Sequence, residues 1–324
     1  MNAVILEAGT VSRGDIDFSP IENLVDRFQI FDFTPTDKTI EYVGDNEIVL
    51  CNKTPFTREV IKECKNLRYI GLCATGFNNI DLQAAKERNI VVTNVPGYAT
   101  RSAAETVFAF LLEFAKRTSS YTNFVKNGGW IRAKSFAEFV YPTTEISQKT
   151  LGIIGYGAIG KQVSHIAEAF GMKVIVNTRT PIPGASNVSL EELFVKSDYI
   201  SLHCPLTPQT EGLVNEKLLS LCKKGAVIIN TSRGAVVDEN ALVFALESGK
   251  IAGAGLDVAA IEPMSESSPL WEYLSSENDD LPKLLISPHV AWAPIEARIR
   301  LVEIVAKNLK SFINENPINV VNRV

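Results

Sequence analysis

Cysteine, histidine, methionine and tryptophan are all scarce in this chain. Its 324 residues include five cysteines and three each of the other three types. The cysteines (Cys51, Cys64, Cys73, Cys204 and Cys222) are odd in number, scattered and without a CxxC pair, which excludes a disulfide framework and argues against a metal site. They read as reduced, buried thiols of a cytoplasmic protein. An excess of positive charge is also lacking: 32 Lys and Arg stand against 37 Asp and Glu, for a net charge of −5. Such a chain has no basic footprint for nucleic acid and no polybasic patch for a membrane surface. Long apolar runs are missing too. The most apolar stretch, Ala103–Ala115, carries Glu105 and Glu113, so no segment is expected to span a bilayer. The opening MNAVILEAG lacks a positive n-region and reads as a first buried strand, not a secretion signal.

What is present is an ordinary globular composition, 46% hydrophobic and 21% charged, with length enough for two domains. Short apolar runs alternate with amphipathic stretches, the pattern of parallel sheets covered by helices. Strands are expected at Ala3–Glu7, Ile48–Cys51, Leu67–Leu72 and Ile90–Thr93, and then at Leu151–Ile154, Lys173–Asn177, Tyr199–His203, Ala226–Asn230, Gly253–Asp257 and Leu284–Ser287. Helices are expected at Thr57–Cys64, Asp81–Arg88, Ile159–Phe170, Glu191–Lys196, Asn215–Cys222, Glu239–Leu246 and Ala297–Asn314. One long helix is expected from Ser102 to about Val125. The aromatic-rich segment Lys126–Lys149 after it reads as an irregular connector or an arm toward a partner. Two α/β modules result, and only the second carries a glycine fingerprint.

That fingerprint is TLGIIGYGAIG, with Gly155, Gly157 and Gly160 in GxGxxG spacing after a buried strand and before a helix whose inner face is read as Ile159, Val163, Ile166 and Phe170. The first glycine permits the tight turn, the second lets a pyrophosphate approach the backbone, and the third allows helix and strand to pack closely. The helix N-terminus, with its free N–H groups, favours the phosphates. An acidic residue that grips the adenosine ribose should end the next strand. Here MKVIVNTRTP has none; Thr178 and Arg179 stand in its place. Without a carboxylate there is no repulsion of a 2′-phosphate, and Arg179 with the hydroxyls suits one. Both NAD(H) and NADP(H) stay open.

Hydride exchange between a nicotinamide and a 2-hydroxy or 2-keto acid needs a cation for the carboxylate and a proton-exchanging group with an orienting partner. The second module places Arg233 in INTSRGAVVDENAL, Glu262 in GLDVAAIEP and His289 in ISPHVAW, all at strand ends. Among the histidines, His165 falls on the outward side of its helix. His203, just before Cys204 and Pro205, competes with His289 for the acid/base role and also suits the wall of a cofactor pocket.

These motifs, in this order after GYGAIG and with HCPLTPQT between, resemble the D-isomer-specific 2-hydroxyacid dehydrogenase family over nearly the whole chain. The resemblance implies two Rossmann-like or flavodoxin-like doubly wound α/β domains with a cleft between them. A discontinuous substrate domain would comprise residues 1–99 and 292–324, and a dinucleotide-binding domain residues 100–291. It implies that Arg233 binds substrate, that His289 rather than His203 is the acid/base, and that Glu262 pairs with it. Asp257 would contact the nicotinamide carboxamide, and Thr210 and Thr231 would lie along the cofactor, with Ile159 giving a backbone N–H to the pyrophosphate. Thr75 and Gly76, in CATGFNNIDL, would present N–H groups to the substrate carboxylate. It further implies a homodimer joined through the region Ser102–Pro142.

Within that family, ATGFNNIDL, NVPGYAT, SFAEFVYP and SPHVAWA are most similar to glycerate dehydrogenase/hydroxypyruvate reductase members. The expected substrates are hydroxypyruvate or glyoxylate, with D-glycerate in reverse, and Trp292 as a wall beside a small side chain. No extra basic cluster awaits a phosphorylated substrate. Other readings stay open: a D-lactate-type or formate dehydrogenase, or a nicotinamide-sensing corepressor or scaffold of the same fold.

Overall fold

The computed structural model describes residues 1–276 and 281–322. The chain divides into two compact units, Met1–Ala99 with Trp292–Val324, and Thr100–Ala291. Among the described residues, no helix is long and apolar enough to cross a membrane.

The first unit is built on strands β1 (Asn2–Ile5), β2 (Arg27–Ile30), β3 (Ile48–Cys51), β4 (Tyr69–Leu72) and β5 (Val91–Thr93). They form one parallel sheet in the order β2-β1-β3-β4-β5. β3 and β4 are buried at every position, as inner strands covered on both faces must be. The helix Ile295–Ile313 returns to this unit and packs Ala297, Leu301, Val302 and Val305 into the core beside β1 and β4. Strand β2 is not evident from the sequence because its residues are exposed or half-buried at the sheet edge.

The second unit holds β6 (Thr150–Ile154), β7 (Lys173–Asn177), β8 (Tyr199–Leu202), β9 (Val227–Asn230), β10 (Gly253–Leu256) and β11 (Leu284–Ile286). All pairs are parallel, in the order β11-β10-β9-β8-β6-β7. Both sheets therefore reverse direction once, between β1 and β3 and between β6 and β8. In open α/β sheets a ligand binds at that switch point, over the carboxyl ends of the strands.

Most crossover helices start on a side-chain cap. Thr57, Asp81, Ser189, Asn215 and Asp238 each accept a hydrogen bond from an N–H in the first turn of their helices. The helix Ala158–Ala169 after the glycine loop has no such cap and no acidic residue in its first turn.

Two expectations are corrected. The long helix is two helices, Thr100–Lys116 and Thr118–Lys126, broken at Arg117, whose φ is +55°. The break is held by neighbours: the Glu113 carboxylate accepts from Ser119 N–H, and the Arg117 guanidinium donates to the Pro282 carbonyl and lies over the Phe114 ring. Phe170 is not on the inner face of its helix. It is 42% exposed and stacks on Phe108, while Gly160, Val163, Ser164 and Ala167 face the core.

Candidate active site

Every candidate residue of the second unit lies at or beyond the carboxyl ends of its strands, apart from the helix after the glycine loop. In spatial order these are His289 after β11, Asp257 and Glu262 after β10, Thr231 and Arg233 after β9, His203 after β8, the glycine loop after β6, and Thr178 and Arg179 after β7. Parallel register fixes this alignment, since parallel strands in one sheet present all their carboxyl ends to one edge.

At one end of that edge, His289 Nδ1 and Glu262 Oε2 are 2.7 Å apart, both side chains about one-third exposed or less (28% and 36%). A carboxylate only accepts, so Nδ1 carries the proton and Nε2 remains to exchange one. The other Glu262 oxygen accepts from Ala259 N–H at 3.1 Å. His289 itself has a left-handed backbone, φ +54°. Asp257, 1% exposed, accounts for it: Oδ1 accepts from Val290 N–H and Oδ2 from Ala291 N–H, each at 2.9 Å, and Ser287 Oγ also donates to this carboxylate. Asp257 thus holds the His289 loop.

Arg233 is exposed and follows a turn built by Asn230, a buried residue not among the sequence candidates. Asn230 Oδ1 accepts from Ser232 N–H and Oγ, and its Nδ2 donates to the Arg233 carbonyl. The next residue, Gly234, touches the Glu262 loop so closely that a Cβ would lie 1.9 Å from the Ala259 carbonyl carbon. Glu239 Oε1 accepts from Ala260 N–H at 2.7 Å and ties the same loop to the following helix. Gly234 and Glu239 escape sequence reading because each acts on the main chain of a distant segment, and Asn230 because it acts within its own turn. INTSRG alone offers a hint, an Asn followed two residues later by Ser.

At the glycine loop the three glycines differ in their surroundings. Gly155 has φ +87° and packs on His203 and Cys204, where a Cβ would come within 2.7 Å of their backbone. A Cβ on Gly160 would lie 2.3 Å from the Gly155 carbonyl oxygen, whereas a Cβ on Gly157 would meet nothing within 4 Å. Open space beside an uncapped helix, with Ile159 in its first turn, suits a pyrophosphate. Two buried polar atoms just past β8 and β9, His203 Nδ1 and Thr231 Oγ1, lack a partner among the described residues. These features fit a dinucleotide.

Desolvation pushes the His203 imidazole down to about 3, and its Nε2 is 2.8 Å from Ser201 Oγ. A ring that stays neutral throughout the physiological range is a poor proton donor, which leaves His289 as the acid/base candidate on physical grounds. The Thr210 hydroxyl donates to the Pro205 carbonyl and accepts from Thr207 N–H, closing its own turn. After β7, Asn177 Nδ2 donates to the Val188 carbonyl and Thr178 Oγ1 to the Thr180 carbonyl, with Arg179 exposed and no carboxylate in the run.

In the first unit, Thr75 and Gly76 occupy the loop after β4. Thr75 Oγ1 donates to the Val95 carbonyl, and the N–H groups of Thr75 and Gly76 have no partner among the described residues. Trp292 is half-buried against the first unit's core, edge-on to Tyr98 with 6.2 Å between ring centroids. All five cysteines are unpaired and buried, and burial raises each thiol, Cys73 to about 12.

Residues 108–291 match the family model described as D-isomer specific 2-hydroxyacid dehydrogenase, NAD binding domain. The chain is 40% identical to the hydroxypyruvate reductase of Blautia hydrogenotrophica, with all of both chains covered. It is 39% identical to the glycerate dehydrogenase of Methylorubrum extorquens over 89% of each. A D-lactate dehydrogenase from Aquifex aeolicus, solved with NAD and lactic acid, superposes with a TM-score of 0.83 at 29% identity, covering 100% of both chains.

Proposed function

This chain belongs to the D-isomer-specific 2-hydroxyacid dehydrogenase family, and from that membership we propose that it reduces hydroxypyruvate or glyoxylate and oxidises D-glycerate in reverse. It is an oxidoreductase with a nicotinamide cofactor, which when bound supplies or accepts the hydride. The observation that carries the reading is the His289–Glu262 pair at 2.7 Å, whose Glu262 loop adjoins the one that bears Arg233.

Arg233 binds the acid's carboxylate as a bidentate fork and polarises the neighbouring carbonyl. His289 donates a proton from Nε2 to the carbonyl oxygen during reduction and takes it back during oxidation. Glu262 orients the ring through Nδ1–H and stabilises its doubly protonated form. In the first unit, the unpartnered N–H groups of Thr75 and Gly76 are assigned to the substrate carboxylate. The cofactor's pyrophosphate is assigned to Gly155, Gly157, Ile159 and Gly160, and its ribose to Thr178 and Arg179. His203 and Thr231, after β8 and β9, are assigned to the wall of the cofactor pocket. The absence of a carboxylate after β7 supports acceptance of NADP(H) as well as NAD(H).

We assign the enzyme to the cytoplasm, where buried, unpaired thiols stay reduced. It is assigned as a homodimer through the segment after Lys126, where Trp130, Ile131, Phe136 and Phe139 are 55, 88, 90 and 93% exposed.

Initial rates with hydroxypyruvate, glyoxylate and pyruvate, each against NADH and NADPH, test the proposal. Hydroxypyruvate and glyoxylate are expected to exceed pyruvate in kcat/KM. A preference for pyruvate, or no turnover despite cofactor binding, would overturn it.

A further inference from the structure

In the second unit the corner between β6 and β8 is open: Gly155 lies against His203 and Cys204, and Gly157 faces empty space. The first unit has the corresponding corner between β1 and β3, but the chain fills it from within. Glu7, just past β1 and 8% exposed, turns its carboxylate onto the turn that follows β3. Its Oε2 accepts from the N–H groups of Asn52, Lys53 and Thr54 at 2.9, 2.8 and 2.8 Å. Consecutive N–H groups converging on one oxygen make a nest for an anion, and bonds to an ionised acceptor are roughly twice as strong as neutral ones.

The nest is braced on both sides. Thr10 donates to the Glu7 carbonyl from N–H and Oγ1, and Asn52 Nδ2 donates to Thr10 Oγ1 at 3.1 Å. On the far side, Asn79 Nδ2 donates to the Thr54 carbonyl at 2.9 Å and reaches the Asn52 carbonyl at 3.4 Å, and Phe56 N–H donates to the Asn79 carbonyl. Asn79 thereby couples the nest to the segment that carries Thr75 and Gly76.

We propose that Glu7 is a positioning residue: seated in the Asn52–Thr54 nest, its carboxylate holds the Thr75–Gly76 amides, through Asn79, in the orientation that receives the substrate carboxylate. This rests on the assignment of Thr75 and Gly76 to the substrate. A resident carboxylate does for this corner what a bound anion does elsewhere, so the loop is ordered before substrate arrives.

Glu7→Gln keeps the side chain's shape but places an NH2 group among donors and removes the charge. Hydrogen exchange over segments 50–56 and 73–80 is measured alongside KM and kcat for hydroxypyruvate and the cofactor's Kd. Exchange is expected to quicken in both segments and KM to rise about tenfold, with kcat within about twofold and cofactor affinity unchanged. Glu7→Asp is expected to fall between, and Asn79→Ala to reproduce the KM rise while segment 50–54 stays protected. The Asn79→Ala arm also decides the matter if Glu7→Gln does not fold. Unchanged exchange at 73–80 would overturn the proposal through Glu7 itself. Faster exchange there with an unchanged KM would overturn it through the substrate assignment of Thr75 and Gly76.

Discussion

Asp257 holds His289 by the main chain, not by the ring: the residues following the imidazole, Val290 and Ala291, donate their N–H groups to its two carboxylate oxygens. His289 N–H donates to the Asp257 carbonyl as well, so the left-handed turn at His289 is closed from both directions. A non-glycine residue at positive φ costs on the order of 1 kcal/mol and persists only where its surroundings enforce it.

Asp257→Asn therefore sets an NH2 group against one of those N–H donors. A stability loss of about 1–3 kcal/mol is expected, together with a lower kcat and an unchanged cofactor Kd. Thermal melts and steady-state kinetics check this. Unchanged stability with weaker cofactor binding would instead give Asp257 the nicotinamide contact that the family resemblance implies.

Gly157 and Gly160 separate binding from folding. Gly157→Ala puts a methyl group into open space and is expected to leave Tm unchanged while weakening cofactor binding about tenfold or more. Gly160→Ala drives a Cβ into the Gly155 carbonyl and is expected to lower stability by about 1–3 kcal/mol. Melting curves and cofactor titrations of both variants make the comparison.

His203 gives the fold an acid sensitivity. Its imidazole falls from the ordinary 6.5 to about 3 through desolvation, so below pH 6.5 the unfolded chain takes up a proton that the native chain refuses. Its contribution is complete above pH 6.5 and lost progressively as pH falls toward 3, by at most about 1.4 kcal/mol per unit. His203→Gln retains a group for Ser201 but does not titrate. Its Tm is expected to decline less steeply than wild type between about pH 6.5 and 4.5; parallel declines would contradict this.

Thr178→Asp restores an acidic residue just past β7. Selection of NADH over NADPH is expected, because a carboxylate near a 2′-phosphate is repelled by about 4 kcal/mol at about 4 Å and an effective dielectric near 20. The ratio of kcat/KM for the two cofactors is the readout. An unchanged ratio would place the ribose elsewhere.

Much of this structure was legible in the amino-acid order. Inner strands such as β3 and β9 are short apolar runs because both faces are covered, and five of the helix caps are polar residues preceding a helical pattern. Strand β2 escaped because an exposed edge strand needs no apolar alternation. The break at Arg117 escaped because its left-handed φ is enforced by Glu113 and Pro282 rather than by a glycine. The residues assigned to ligands sit in motifs with chemically demanding spacing. Glu239 and Glu7 instead grip the backbone of distant segments, and a single sequence does not show which N–H a carboxylate will reach.

The most direct test is the rate of hydroxypyruvate reduction by His289→Asn with saturating reduced cofactor. A fall of about 10²–10⁴ in kcat with the cofactor's Kd unchanged is expected of the residue that exchanges the proton. A variant that turns over at the wild-type rate would contradict the assignment of the acid/base role to the His289–Glu262 pair.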